Sequence, residues 1–406
     1  MSTGSATISA ATRRSILLLS FATFSSMAAQ RICDAMLPEL SRVFVVSLAQ
    51  AAQVVWLFAV VYGLAQLFYG PLGDRLGKFR VVTYTTLACC VGSVMAVLAT
   101  SLDFLVLARV MVALGAAAII PLSMAWVGDA VASEQLQVTL ARVGMGTTLG
   151  IGGGQVVGGL LTDTLGWRWA FGFMALLFGV VGFLLYTDGR RQQASNRGAP
   201  RSHHATRVGF VAQALIIITG SWSRIVLLVA FIEGAAGFGV LAMWASHLHR
   251  VMGLSLTAAG FIVALFGLGG TLYMAVARHL IHRFGEHELT LLGVCLLGLS
   301  AVVVGFTPYW LFTIPMSLMG GFGFFMFHNT MQANATQMAP SARGTAVSLF
   351  AAALFLGQSV GVLLAANLIE RIGSGTVIAA GGVVMVAVGL SFARALRQRD
   401  RLMNRV

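Results

Sequence analysis

Along its length the chain alternates long apolar runs with short polar joints. The runs fall at 15–40, 50–72, 81–100, 104–127, 138–161, 169–187, 224–246, 255–277, 289–307, 309–330, 345–368 and 376–393. Most approach the roughly 20 residues that a helix needs to cross a hydrocarbon layer about 30 Å thick. The pattern therefore predicts an all-α membrane protein with twelve transmembrane helices. One joint is longer than the others: "TDGRRQQASNRGAPRSHHATR", residues 187–207, has linker composition. The segment after it, "VGFVAQALIIITGSW", is expected to lie as a short helix along the membrane surface. This interval divides the chain into a six-helix bundle over 1–187, a linker over 188–223, and a second six-helix bundle with a basic tail over 224–406.

Composition agrees with the pattern. Hydrophobic residues make up 58% of the 406 and charged residues 10%, against about a quarter charged in soluble domains. The net charge of +13 raises the question of nucleic acid, and the positions of the basic residues answer it. Threading twelve spans with both termini on one side places twenty of the twenty-six Arg and Lys residues on that side, among them Arg13, Arg14, Arg75, Lys78, Arg80 and the set from Arg394 to Arg405. Arg42, Arg168, Arg250 and Arg371 fall on the other. That asymmetry predicts cytoplasmic termini and no nucleic-acid partner.

Arg13-Arg14 ahead of an apolar stretch ending "SSMAAQ" has the look of a secretory signal. Removing it would leave an odd number of spans and spoil the charge asymmetry, so it reads as the first helix. Cys33, Cys89, Cys90 and Cys295 all fall within spans, which argues against a disulfide framework. No Walker A sequence, metal-ligand cluster or nucleophile motif is present. The expectation is a non-enzyme without cofactor or metal, monomeric, working on a small molecule in the bilayer.

The two halves echo each other. "GPLGDRLGKFR" at 70–80 is answered 208 residues later by "RHLIHRFGEHE", and "GQVVG" from Gly154 by "GQSVG" from Gly357 at a spacing of 203. Duplicated halves with a site between them are a common plan for secondary transporters.

"GPLGDRLGKFR" resembles motif A of the major facilitator superfamily, with Gly70, Asp74, Arg75, Gly77 and Arg80 at the family's positions. "VLARVMVALGAAA" is similar to the family's span-four motif at Arg109 and Gly115, and the glycines of span five stand where its antiporters carry motif C. That third match lacks the usual Gly-Pro pair. The resemblance implies two pseudo-symmetric six-helix bundles and alternating access, most like the twelve-helix proton-coupled exporters of drugs and metabolites. Import of a small metabolite by proton symport or facilitated diffusion is the alternative. A receptor or scaffold would call for a large soluble domain or a long tail.

Several residues carry candidate chemistry. Asp74 is suited to meet a helix N-terminus or an Arg, as a latch on the cytoplasmic side; in the second half His282 stands in its place and Glu286 in that of Lys78. Gly146, Gly150, Gly154 and Gly158 recur every fourth residue as a side-chain-free stripe, and Gly357 and Gly361 repeat it more briefly. The stripe is expected to be a smooth face across which the halves rock. Arg31, Asp34, Arg109 and Glu233 are ionisable at membrane depth, where such groups are costly. Arg31 and Asp34 share a helix face, and Arg109 falls at similar depth, so a carboxylate between two guanidinium groups is expected, with the proton as coupling ion. Glu233 has no cationic partner in its own span and reads either as a second proton site or as a contact for a cationic substrate. Gln155 and Gln358 point amides into the cavity or bond between helices, while Trp126, Phe238 and Asn329 are further candidates for its wall.

Overall fold

The structure is a computed structural model describing residues 9–195 and 210–403, and among these it is helical with no strands. The first half comprises α1 (Ala10–Phe44), α2 (Gln53–Leu76), α3 (Lys78–Val97), α4 (Leu102–Ala130), α5 (Ser133–Thr164) and α6 (Trp167–Ser195). The second comprises α7 (Ser221–Arg250), α8 (256–284), α9 (286–306), α10 (Thr313–Gln337), α11 (Arg343–Ile372) and α12 (Ser374–Met403).

Two stretches need comment. The segment Leu256–Phe306 is helical throughout except at Gly285, whose φ of 72° and ψ of 172° break it. Gly269 packs on Leu318 of α10 and Ser300 donates to Met316 O of the same helix. A straight helix would hold those residues more than 40 Å apart, so the chain folds back at Gly285 and forms α8 and α9. Gly77, at the matching turn between α2 and α3, also has positive φ, at 93°. Only glycine adopts such angles freely, and its presence at both turns supports the duplication. Ser133–Thr164 is the other case. Ten described segments are long and apolar enough to cross a membrane, Leu256–Phe306 counting once, and α5 is not among them because glycine dilutes its apolarity.

The structure moves the linker boundary. Helix α6 continues past 187 to Ser195, because Asp188 is buried against α1, accepting hydrogen bonds from Arg14 and from Ser15 Oγ at 2.6 Å. The rest of the expected linker up to 209 lies outside the described residues. A short helix, Phe210–Thr219, occupies the place of the expected surface helix, with Ile217 packed against Ala346 and Leu349 of α11.

Backbone contacts through glycine decide how the helices meet. A Cβ added at Gly146, Gly150, Gly154 or Gly158 would strike, in turn, the carbonyl oxygens of Ser20, Phe24, Ala28 and Ile32. The stripe is thus a seam between α5 and α1 inside the first half. Gly357 and Gly361 meet Phe231 O and Ala235 O of α7, inside the second half. This corrects the expectation of a rocking face: the period-four stripe locks each half internally. The face between halves is a different one. Gly152 and Gly159, seven residues apart and so on one side of α5, abut Ala264 O and Leu256 O of α8, while Gly260 and Gly267 of α8 abut Gln155 O and Thr148 O of α5. Gly63 of α2 does the same against Ala352 and Phe355 of α11.

The hydrophobic core divides accordingly. One large cluster is drawn mainly from α1–α6 and the other mainly from α7–α12. We call the end of the molecule holding Ala10 and Met403 the terminal face, and the other the far face.

Candidate functional site

In the far-face half of α1, Gln30, Arg31 and Asp34 reach toward α11, α7 and α5. Pro38 lies inside α1 and has no N–H to give to the carbonyl of Asp34 four residues earlier, so the helix is locally uncoupled at that residue. Arg31 and Asp34 are fully buried and form an ion pair, Arg31 Nη1 donating to Asp34 Oδ2 at 3.3 Å. The same oxygen accepts from Gln155 Nε2 of α5 at 3.0 Å.

Arg31 also crosses to the second half. Its Nη1 donates to Phe238 O at 3.3 Å, and its guanidinium lies over the Phe238 ring at 4.4 Å. Phe238 reaches this position because α7 changes form within its length: Gly234–Gly239 is a π-helical turn, which holds an extra residue relative to an α-helix and is frequent at functional sites. Beside it Gln30 Nε2 donates to Gln358 Oε1 of α11 at 3.1 Å, a second bond between halves. Gln155 and Gln358 therefore both work between helices at the centre of the molecule.

Arg109 is arranged otherwise than expected. It is buried, yet its Nε donates to Val54 O at 3.1 Å and its Nη1 to Ala29 O at 2.7 Å, with Phe58 stacked on it at 4.1 Å. Among the described residues Asp34 has one direct guanidinium partner, Arg31. Two backbone carbonyls take N–H groups from Nε and Nη1 of Arg109, which ties α4 to α1 and α2, while its Nη2 has no partner among the described residues.

Glu233, at the end of the α-helical part of α7, is also fully buried, and the structure supplies the partner absent from its own span. His328 Nδ1 of α10 and Glu233 Oε1 share a hydrogen bond of 2.7 Å. The imidazole stacks on Phe324 at 5.7 Å and contacts Phe238, Phe325 and Phe350. His328 stands inside the aromatic run "GFGFFMFHN". A titratable residue in an otherwise aromatic stretch of a span is the signal that locates it, and sequence reasoning passes over it. Phe238 touches both pairs, Arg31 at 4.4 Å and His328 at 6.5 Å. Asn329 is half-buried next to His328, and Trp126 packs on Phe79 at 5.4 Å within the first half, on helix ends near the terminal face.

The two faces differ. At the far face Asp163 of α5 accepts from Thr257 N and Oγ1 of α8, each at 2.6 Å, across the halves; a carboxylate suits a helix N-terminus. At the terminal face Asp74 is 68% exposed and pairs within the first half with Lys78 at 3.7 Å, while Lys78 also holds Asp129 at 2.6 Å. Arg75 and Arg80 are exposed. Glu286, in the matching turn, accepts from Asn334, which accepts in turn from Arg399.

Comparisons with known proteins agree with this layout. The profile of the Major Facilitator Superfamily matches residues 19–362 and 226–403. A multidrug resistance protein B homolog from Mycobacterium tuberculosis is 26% identical over 285 residues, 58% of this chain and 53% of that protein, so the chain spans about half the length of that relative. The 4-hydroxybenzoate transporter PcaK of Pseudomonas putida is 25% identical over 278 residues, 61% of each chain. A crystal structure of the nucleoside transporter NupG superposes with a TM-score of 0.76 at 14% identity, covering 93% of this chain and 98% of that one.

Proposed function

Because the chain belongs to the major facilitator superfamily, we propose that it is a proton-coupled exporter of a small molecule from the cytoplasm of a bacterial cell, working by alternating access in the inner membrane with both termini inside. The observation that carries this reading is the fully buried Arg31–Asp34 pair, held by Gln155 and bonded across the halves to Phe238. A carboxylate balanced between desolvation and a guanidinium changes proton affinity when either term changes, and Arg31 loses its Phe238 contacts if the halves part there. Glu233 with His328 is a second place for a proton on the same path.

In the cycle, an outward-open form takes a proton at Asp34 or Glu233. The halves rock on the α5–α8 and α2–α11 faces, and substrate from the cytoplasm displaces the proton inward. One charge crossing 100 mV supplies about 2.3 kcal/mol, enough for some tens-fold accumulation. The exposed Asp74 and the Asp163–Thr257 bonds support a form closed at the far face and loosened at the terminal one. The match to a multidrug resistance homolog supports export. The PcaK match leaves room for uptake of a metabolite.

The test uses proteoliposomes with an imposed pH gradient and a panel of labelled carboxylates and lipophilic cations, following whichever member the wild type accumulates. The Asp34→Asn protein is expected to lose uphill transport and keep downhill exchange, since Asn retains shape and hydrogen bonding without the charge. Uphill transport that persists in Asp34→Asn and vanishes only in Glu233→Gln moves the proton site to α7. Persistence in both variants overturns proton coupling at these groups.

A further inference from the structure

Arg31 spends only part of its hydrogen-bonding capacity. Nη1 serves both Asp34 Oδ2 and Phe238 O, and Phe238 covers one face of the guanidinium. Nε and Nη2, which form the other in-plane edge, have no acceptor among the described residues, although the side chain is fully buried. An unmet buried donor costs roughly 1–3 kcal/mol, more when charged, and such groups are rare in native proteins. Here two lie side by side.

The chain shows what that edge is built to hold. At Arg42 the same two atoms, Nε and Nη2, donate to the two oxygens of Glu39 at 2.8 and 2.7 Å. That is the bidentate geometry of a guanidinium edge with a planar carboxylate, the strong form of the interaction. Around Arg31, at the same level between the halves, Asp34 Oδ1, Gln30 Oε1, Gln155 Oε1 and Gln358 Nε2 are likewise without partners among the described residues, so an acid that also carries a hydrogen-bond donor finds matches there.

We propose that the Nε/Nη2 edge of Arg31 anchors the carboxylate of the transported molecule, and that the substrate is a small monocarboxylate. The inference rests on the transport reading above and names its cargo. A dianion such as a phosphate monoester fits less well, because Asp34 is bonded to the same guanidinium and Glu233 lies five residues before the Phe238 that supports it. A lipophilic cation meets donors along this edge, and the unpartnered Asp34 Oδ1 that could attract it lies beside the positive charge of Arg31. Phe238 and Phe324, with ring centroids 4.5 Å apart, give the apolar body of such an acid a surface beside the charged group.

Binding to purified protein in lipid nanodiscs, with no gradient, separates this proposal from proton coupling. The probes are benzoate, pyruvate, the neutral isostere benzamide, and benzyltrimethylammonium, read by the melting temperature and by equilibrium dialysis. Benzoate is expected to stabilise the wild type, with benzamide weaker by about tenfold or more, the loss of one charge-assisted contact at about 1.4 kcal/mol per tenfold. Arg31→Lys keeps the charge without the fork and is expected to weaken benzoate by a similar factor. If Arg31→Lys does not fold, the comparison of benzoate with benzamide in the wild type decides alone. Equal binding of benzamide or of the cation, undiminished benzoate binding in a folded Arg31→Lys, or failure of both carboxylates to bind overturns the proposal. Gradient-driven transport of a cation would overturn it while leaving the proton reading intact.

Discussion

The two halves share one backbone frame and fill it with different chemistry. Residues 203 apart do the same packing work: Gly154 against Ala28 and Gly357 against Phe231, Gly158 against Ile32 and Gly361 against Ala235. At the same spacing Gln155 answers Gln358, and Gln30 answers Glu233. The resemblance ends at the polar atoms. The first half holds a permanent cation, Arg31, with Asp34; the second holds Glu233 with a histidine whose charge depends on its proton. Gln155 bonds within its own half, to Asp34, whereas Gln358 bonds across, to Gln30. Glycine contacts fix helix spacing through the backbone and leave the side chains at the level of the site free to differ. A symmetric scaffold thereby carries an asymmetric charge distribution.

Substitutions that remove one partner from each half test this contrast most strongly. Asp34→Leu leaves Arg31 buried and uncompensated and is expected to cost about 3–5 kcal/mol. Glu233→Leu leaves an imidazole free to be neutral and should cost about 1–3 kcal/mol. Reversible unfolding in mixed micelles measures both, and equal losses would break the contrast between the two pairs. Next in size, Gly154→Val and Gly357→Val should each destabilise by about 1–3 kcal/mol through overpacking against a carbonyl. Clearly unequal values would break the equivalence of the two seams.

Phe238→Leu removes the ring that Arg31 shares with the second half and should cost about 1–2 kcal/mol, near the upper range for a desolvated cation–π contact. Phe58→Leu, under Arg109, is expected to match it in stability while leaving benzoate binding unchanged. Smallest in stability are the two faces. Asp163→Asn weakens a bond between halves and should raise the outward-open population, seen as a longer distance between spin labels across the far face. Asp74→Asn should leave the melting temperature nearly unchanged and reduce transport; unaltered transport at normal expression would mean that the motif A aspartate has no mechanical part here.

The spans are legible in the sequence because burial in lipid demands length and apolarity, which local composition records. The duplication is legible in "GQVVG" and "GQSVG" for a related reason, since close backbone contact tolerates few residue types. Other features depend on which side of a helix meets which neighbour. The stripe of Gly146 to Gly158 is visible, but nothing local says that it faces α1 while Gly152 and Gly159 face α8. Glu233 is visible as a costly charge, yet its partner His328 lies 95 residues away on α10. Arg109 shows the same limit: its depth matches Asp34, and its Nε and Nη1 nonetheless donate to the carbonyls of Val54 and Ala29. The π-helical turn at Gly234–Gly239 has three glycines in six residues, a pattern that also fits a tight helix contact.

The dilution of α5 by glycine has a consequence for how the protein is made. A segment leaving the translocon is sorted between lipid and water by its own apolarity, and α5 falls short of the level that the other spans reach. Its deficit is matched to the carbonyl row of α1, synthesised more than a hundred residues earlier. Helix α1 is thus the docking strip for a span that lipid alone accepts poorly, and α1 variants that spoil the seam should release α5 from the membrane as the chain emerges, a biogenesis defect that glycosylation-site mapping of nascent chains would register before any loss of transport is measured.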